Sequence, residues 1–272
     1  MQYKCRERMI SMDAPFVRVL GSADWHPTKN NDHSCYTLCD KILIDVCPSA
    51  MMALLNQDVD PVSVNTICFT HMHADHYMGL PALLLHWRVR TASLGGLTVI
   101  GPKATVRAGV ERAMNFVFHD SRDVSAEIAE TPKIIEIEGS GVYETEEFNI
   151  AAMDADHSVP GLSYSITHKA SGKKVGFTGD TRYLPEFETF FGNADMLLHE
   201  CSFGGGPVDP VANAVCRHAS AREAVDVCRK AHVRKLLLTH AFEPKRENAL
   251  KYAREQLEIP VDWAVPYRVF EV

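Results

Sequence analysis

Along this chain, short unbroken apolar runs alternate with longer stretches in which apolar residues recur every three or four positions. The short runs, bounded by turn formers, predict strands, and the periodic stretches predict helices. Strands are expected at FVRVLG (16–21), CYTLC (35–39), KILIDV (41–46), NTICFTH (65–71), LTVIGP (97–102) and PKIIEIEG (132–139). FNIAAMDADH (148–157), LSYSITH (162–168), KKVGFTGD (173–180), ADMLLHE (194–200) and VRKLLLTH (233–240) complete the set. Helices are expected at 49–56, 78–90, 103–116, 220–231 and 245–256. The fourth carries its own start signal, because Ser220 followed by Glu223 has the spacing of a capping box. No linker or low-complexity tract interrupts the pattern, so one domain spanning 1–272 is expected.

The pattern also repeats loosely. In the first half a strand ends in Asp45, a helix follows, and another strand ends in FTH at His71. In the second half a strand ends in Asp180, ADMLLHE intervenes, a helix follows, and a strand ends in LTH at His240. Two such α/β halves imply two sheets packed together with helices outside. Polar residues at the carboxyl ends of their strands would then converge on a crevice, where open α/β sheets bind ligands.

Composition narrows the class. At 272 residues, 46% hydrophobic and 23% charged, the chain fits a soluble globular protein. No apolar run approaches the roughly 20 residues needed to cross a bilayer, and the charged start MQYKCRERMISMDAPF does not read as a secretory signal. Eight cysteines lie scattered without a CxxC pair, which fits reduced thiols in a cytoplasmic protein. Cys35 and Cys39 are read as structural, facing one side of a strand. A net charge of −7 argues against a broad nucleic-acid surface, yet leaves room for a local cationic pocket made by metal ions.

The chemistry concentrates in FTHMHADHYMGL, where His71, His73, Asp75 and His76 follow an apolar strand as H-x-H-x-D-H. Imidazole and carboxylate suit zinc and similar divalent cations. A single helix would not aim all four at one centre, so the spacing predicts a loop serving two adjacent ions. A polar loop with incidental histidines is the alternative, and four ligand types in six positions disfavour it. Two ions need more ligands. His157, Asp180 and His240, each ending an apolar run, are the distal candidates, and the two oxygens of Asp180 suit a bridge.

Together with VLGSADWHPTKNNDHSCYTL, ILIDVCP, DHSVPGLSYSI, FTGDTR, LLHECSF, RHASAREAVDVCRKAHV and LLLTH, this motif resembles the metallo-β-lactamase superfamily. GDTR, HECSF and RHASAREA resemble its ribonuclease Z-like phosphodiesterase branch more specifically. The resemblance runs from about Phe16 to Ala241 and implies an α/β fold, a four-layer αββα sandwich. It implies one ion on His71, His73 and His157, a second on Asp75, His76 and His240, and Asp180 between them. Zinc is the expected metal, and the ligand set also accepts manganese or iron. Oxygen-reducing di-iron relatives usually carry Glu where His73 stands, which favours hydrolysis here.

By the same resemblance Asp45 supports the loop, and Asp75 accepts a hydrogen bond from the nucleophile. His218 contacts the substrate phosphate and assists as a general acid. His199 and Glu200 orient His218 or a ligand, and Arg182 is a weaker phosphate contact that otherwise forms a surface charge pair. His26 and His33 in 22–34, and His119 in 116–123, are read as structural or exposed within stretches that could rim or cover the pocket, and Trp87 as core.

Ribonuclease Z proper commonly grips tRNA with an arm inserted between the residues that match His157 and Asp180. Only 22 residues separate them here, filled by a plain hairpin. The leading expectation is therefore hydrolysis of a small phosphodiester, such as a cyclic nucleotide, or of a short nucleic-acid end. A tRNA 3′-endonuclease is the runner-up. A lactam, lactone or thioester hydrolase is a third reading, and a non-enzymatic metal-binding scaffold is disfavoured because all seven ligands are present. No membrane partner is expected, and the resemblance suggests a homodimer.

Overall fold

The computed structural model describes residues 14–118 and 131–272. His119 and the rest of 119–123 lie outside the described residues. The strands, numbered in chain order, form two seven-stranded sheets. The first holds β1 (Phe16–Gly21), β2 (Cys35–Leu38), β3 (Ile42–Ile44), β4 (Thr66–Cys68), β5 (Thr98–Pro102), β6 (Lys133–Ile137) and β14 (Val269–Glu271), in the order 14-1-2-3-4-5-6. The second holds β7 (Ser140–Glu144), β8 (Phe148–Ala155), β9 (Gly161–His168), β10 (Lys174–Phe177), β11 (Met196–Glu200), β12 (Leu236–Thr239) and β13 (Val261–Trp263), in the order 13-12-11-10-9-8-7.

Each sheet is half parallel and half antiparallel. β3 to β6 run parallel while β14, β1, β2 and β3 pair antiparallel. In the second sheet β10 to β13 run parallel while β7 to β10 pair antiparallel. The loose repeat read from the sequence is thus a repeat of sheet construction.

Strand alternation explains why the apolar runs are continuous. In β3, Ile42 and Ile44 face the second sheet, while Leu43 joins the outer core with Leu80, Leu83 and Val110. In β12, Leu237 faces the first sheet, while Leu236 and Leu238 pack on Ala224, Val225 and Ala253. Strands buried on both faces lose the polar alternation of a one-sided sheet. The helices Leu80–Thr91 and Val106–Phe118 cover one outer face, and Ala221–Lys230 and Glu243–Gln256 cover the other. The result is the αββα sandwich.

The Ser220 and Glu223 side chains form the full capping box, a cap typically worth about 1 kcal/mol. Trp87 is buried and donates its indole N–H to the Pro61 carbonyl at 3.3 Å. Among the described residues no helix is long and apolar enough to cross a membrane. The seven described cysteines are all free.

Candidate metal centre

Six polar residues sit at, or just beyond, the carboxyl ends of strands that share one direction: Asp45 after β3, His71 after β4, His157 after β8, Asp180 after β10, Glu200 in β11 and His240 after β12. Two of these positions need unusual backbone. Asp45 (φ 57°) and His240 (φ 50°) are left-handed, which turns each chain off its strand at once; Asp and His tolerate that region better than most residues. The two halves touch at this edge, where Leu162 N donates to Thr70 O at 2.7 Å and His71 bridges Gly161.

Gly179 makes the approach feasible. It takes φ +60°, and a Cβ there would lie 2.7 Å from Thr70 Cβ. Gly179→Ala therefore combines a left-handed penalty of about 1–2 kcal/mol with a clash beside Asp180. A thermal melt is expected to show Tm lower by roughly 5 °C; an unchanged Tm would mean the turn relaxes freely.

The H-x-H-x-D-H loop departs from expectation in one respect. His73 caps a single helical turn, Ala74–Tyr77, and that turn carries Asp75 and His76. His71 and His73 approach from the extended segment before it. The turn separates the two pairs, so the chain needs no irregular loop to serve two centres.

His71, His73 and His157 form one group, and Asp75, His76 and His240 another, each with its ligand atoms within 4.8 Å of one another. His71 Nε2 lies 3.0 Å from His73 Nδ1, which lies 3.3 Å from His157 Nε2. Nitrogens around a tetrahedral zinc at ordinary bond lengths sit about 3.3 Å apart, so the set fits such an ion. Asp180 Oδ2 stands between the groups, 3.8 Å from His71 Nε2, 3.6 Å from His76 Nε2 and 3.2 Å from His240 Nε2. The Nε2 atoms of His76 and His240 are buried with no hydrogen-bond partner, a costly arrangement unless a cation takes their lone pairs.

The opposite ring atoms are occupied. His76 Nδ1 lies 2.8 Å from Asp45 Oδ2, and the same carboxylate accepts from Thr70 N and Oγ1, both at 2.7 Å. His240 Nδ1 meets Ser202 Oγ at 3.0 Å, and His157 Nδ1 meets the Arg217 carbonyl at 3.3 Å. Outer contacts of this kind fix the tautomer and the ring plane of a ligating histidine. Burial pushes His71, His73 and His157 below the usual histidine range, which favours neutral rings with free lone pairs. Burial alone would raise Asp180 and Asp75. The His240 and His76 rings instead hold Asp180 well below the carboxylate range, and the His76 ring, its Nε2 3.4 Å from Asp75 Oδ2, takes Asp75 down to about 2.

His218 and Glu200 adjoin this cluster. His218 Nδ1 lies 2.8 Å from Glu200 Oε1, and that carboxylate also accepts from Thr181, Ser202 and Ala219 N–H groups. Burial works against a charged His218 ring, but Glu200 outweighs it and pushes the pKa up to about 10. His199 is buried, with Nδ1 2.7 Å from the Glu200 carbonyl.

Arg182 differs from the phosphate-side expectation. Its guanidinium is taken up by Asp156, which also pairs with Arg217, and Arg182 is not among the cleft-lining residues. Two positions after Asp180 the chain has already left β10, and Arg182 N donates to the Asp156 carbonyl at 3.1 Å, which sets its side chain beside that carboxylate.

A cleft of 540 Å³ opens over the cluster, lined by His73, Asp75, His157, Asp180, His218 and His240 and walled by Trp25, His26, Ser202 and Phe242. His33 instead folds back, with Nδ1 2.6 Å from the Asp24 carbonyl. Lys245 is the only Lys or Arg among the described residues lining the cleft. Sequence reading missed Ser202, Lys245 and the Asp156–Arg217 pair as contributors. Ser202 sits inside HECSF and was within reach; the others are single polar residues without periodicity.

A profile of the family described as anti-Pycsar protein Apyc1 matches residues 20–256. The chain belongs to this family. This Apyc1-family chain is also 24% identical to a ribonuclease Z of Bacillus licheniformis, over 84% of its own length and 87% of that protein. Its fold matches the metallo-β-lactamase fold protein YhfI of Bacillus subtilis with a TM-score of 0.78 at 23% identity, covering 96% of this chain and all (100%) of that one. Human tRNase Z, short form, matches with a TM-score of 0.72 at 20% identity, covering 94% and 98%. The Apyc1-family chain thus has the metallo-β-lactamase fold and is similar in sequence to proteins named ribonuclease Z.

Proposed function

We propose that this chain is a dinuclear metal-dependent phosphodiesterase acting on a small phosphodiester such as a cyclic nucleotide. One observation carries the reading: two three-ligand groups share Asp180 on the floor of a cleft into which His218 projects, held by Glu200. His71, His73 and His157 would hold one ion, Asp75, His76 and His240 the other, and Asp180 both. Zinc is the favoured metal from the nitrogen-rich set. Such a pair of ions supplies a water nucleophile at neutral pH and offsets the charge of the phosphoryl oxygens.

The chain's own groups do the rest. Ionised Asp75 accepts a hydrogen bond from the attacking water. Glu200 takes His218 Nδ1–H, which leaves Nε2–H to donate to the phosphate or the departing alkoxide. Ser202 steadies His240, and Lys245, whose Nζ donates to the Ser202 carbonyl at 2.9 Å, adds a fixed positive charge at the wall. A cleft with one such cation, on a chain of net charge −7, suits one phosphodiester better than a polyanionic backbone. The β9–β10 connection is a short hairpin turn at 169–173, with no arm to grip a larger partner.

Purified protein with zinc or manganese is to be assayed on cyclic nucleotides, bis-p-nitrophenyl phosphate, precursor tRNA, nitrocefin and a thioester. Cyclic-nucleotide turnover with about two metals per chain is expected. Acyl hydrolysis without phosphodiester turnover would overturn the reading. The relatives named ribonuclease Z favour a second reading, tRNA 3′-end cleavage, and preferential turnover of precursor tRNA would select it.

Asp45 offers a separate check on the ligand shell. Asp45→Asn replaces one of the two carboxylate oxygens that accept from His76 and Thr70 with an amide donor and removes the charge, and metal affinity is expected to fall about 10–100-fold. Metal retained after dialysis against a graded chelator measures it, and unchanged retention would place Asp45 outside the metal shell.

A further inference from the structure

We propose that Trp25, His26 and Phe242 form a stacking wall that holds the nucleobase while the phosphate lies over the histidine cluster. The inference rests on the phosphodiesterase reading and names the part of the substrate that reading leaves open.

The chain has three tryptophans, and two are core residues: Trp87 is 5% exposed and Trp263 3%, whereas Trp25 is 73% exposed. Trp25 nevertheless has ordered ring neighbours. Its ring centroid lies 4.3 Å from that of His26, tilted by 50°, and His26 lies 5.0 Å from Phe242, tilted by 48°. Phe242 is itself 41% exposed. Three rings from two distant segments therefore make one continuous aromatic surface, and all three line the cleft that contains His73, Asp180 and His218.

The surface is braced from behind. His26 N donates to Asp24 Oδ1 at 2.8 Å, and Thr28 and Asn31 close a tight turn with mutual backbone bonds at 2.8 and 3.2 Å. Asp32 then ties the loop to the body, accepting from Ser49 N and Oγ at 2.7 and 2.5 Å. Phe242 directly precedes the helix Glu243–Gln256 and stands two residues after His240. The wall is thus fixed to the same strand end as the metal ligands. Exposed rings beside a phosphate-binding floor match the two ends of a nucleotide, because every base offers a π-face. A preformed wall also avoids the ordering cost that a mobile loop would impose.

The test compares the metal-loaded wild type with Trp25→Ala and Trp25→Phe. KM and kcat are measured for a 3′,5′-cyclic nucleotide and for base-free ribose 3′,5′-cyclic phosphate. Tryptophan fluorescence is titrated in parallel with a 5′-mononucleotide. Trp25→Ala is expected to raise KM for the cyclic nucleotide about 5- to 150-fold, with kcat and the base-free substrate little changed. Trp25→Phe should recover most of the loss. The mononucleotide should quench wild-type fluorescence and leave the Trp25→Ala signal unchanged, since both remaining indoles are buried. Equal KM changes for the two substrates, or no quenching in the wild type, would overturn the wall. So would a change in the solution mass of Trp25→Ala, which would make the patch a protein contact. If the wild type quenches but turns over neither phosphodiester, the wall stands and the phosphodiesterase reading fails.

Discussion

Asp180→Ala is expected to lower phosphodiester turnover on the order of a thousandfold or more and to reduce bound metal from about two ions per chain to one or none. The reason is its place: one oxygen lies within 3.2–3.8 Å of His71, His76 and His240 Nε2 atoms, so both groups lose the same ligand. Elemental analysis beside the assay reads both effects. The side chain is buried among five histidines within reach of its cluster, and its loss leaves cationic or ion-bearing rings without the charge that offsets them. Full retention of two ions would show that Asp180 does not bridge.

His218→Ala separates chemistry from binding. Turnover is expected to fall about 10²–10⁴-fold, the usual range for a lost proton donor, while metal content stays near that of the wild type. His218 is linked to the cluster chiefly through Glu200 and Ser202, and its Nδ1 stands 4.0 Å from Asp180 Oδ2. A proportionate loss of metal would make it a ligand, not a donor. A substrate with p-nitrophenolate as leaving group needs little proton assistance, so it should lose less activity than a cyclic nucleotide in the same variant.

The parts of this protein that could be read in its sequence share a physical cause. Strands buried on both faces must be apolar throughout, so β3, β4, β11 and β12 announced themselves, and a polar residue ending such a run stood out as a candidate for the crevice. That logic brought forward His71, His157, Asp180 and His240, whose side chains meet in space. It failed where a strand carries no continuous buried run, as in the edge strands β13 and β14, and where a helical turn, Ala74–Tyr77, has only four residues to show a period. For Arg182, closeness in sequence to Asp180 suggested a phosphate contact, and the structure shows the alternative, a charge pair, with Asp156, 26 residues away. Trp25 sits in the 22–34 stretch expected at the pocket rim, but nothing in the sequence singled it out there, and only the ring contacts with His26 and Phe242 give it a role.

Neither ligand group belongs to one sheet. His71, His73, Asp75 and His76 follow a strand of the first sheet, while His157, Asp180 and His240 follow strands of the second. An ion in either group would therefore act as a rivet across the sandwich, and filling it would be felt as cohesion between the two halves. At a free metal concentration a hundredfold above Kd, each such rivet adds about 2.7 kcal/mol to the folded state. Chelation would then soften the whole molecule as well as silence the cleft, so heat resistance and catalytic competence would rise and fall with the same supply of metal.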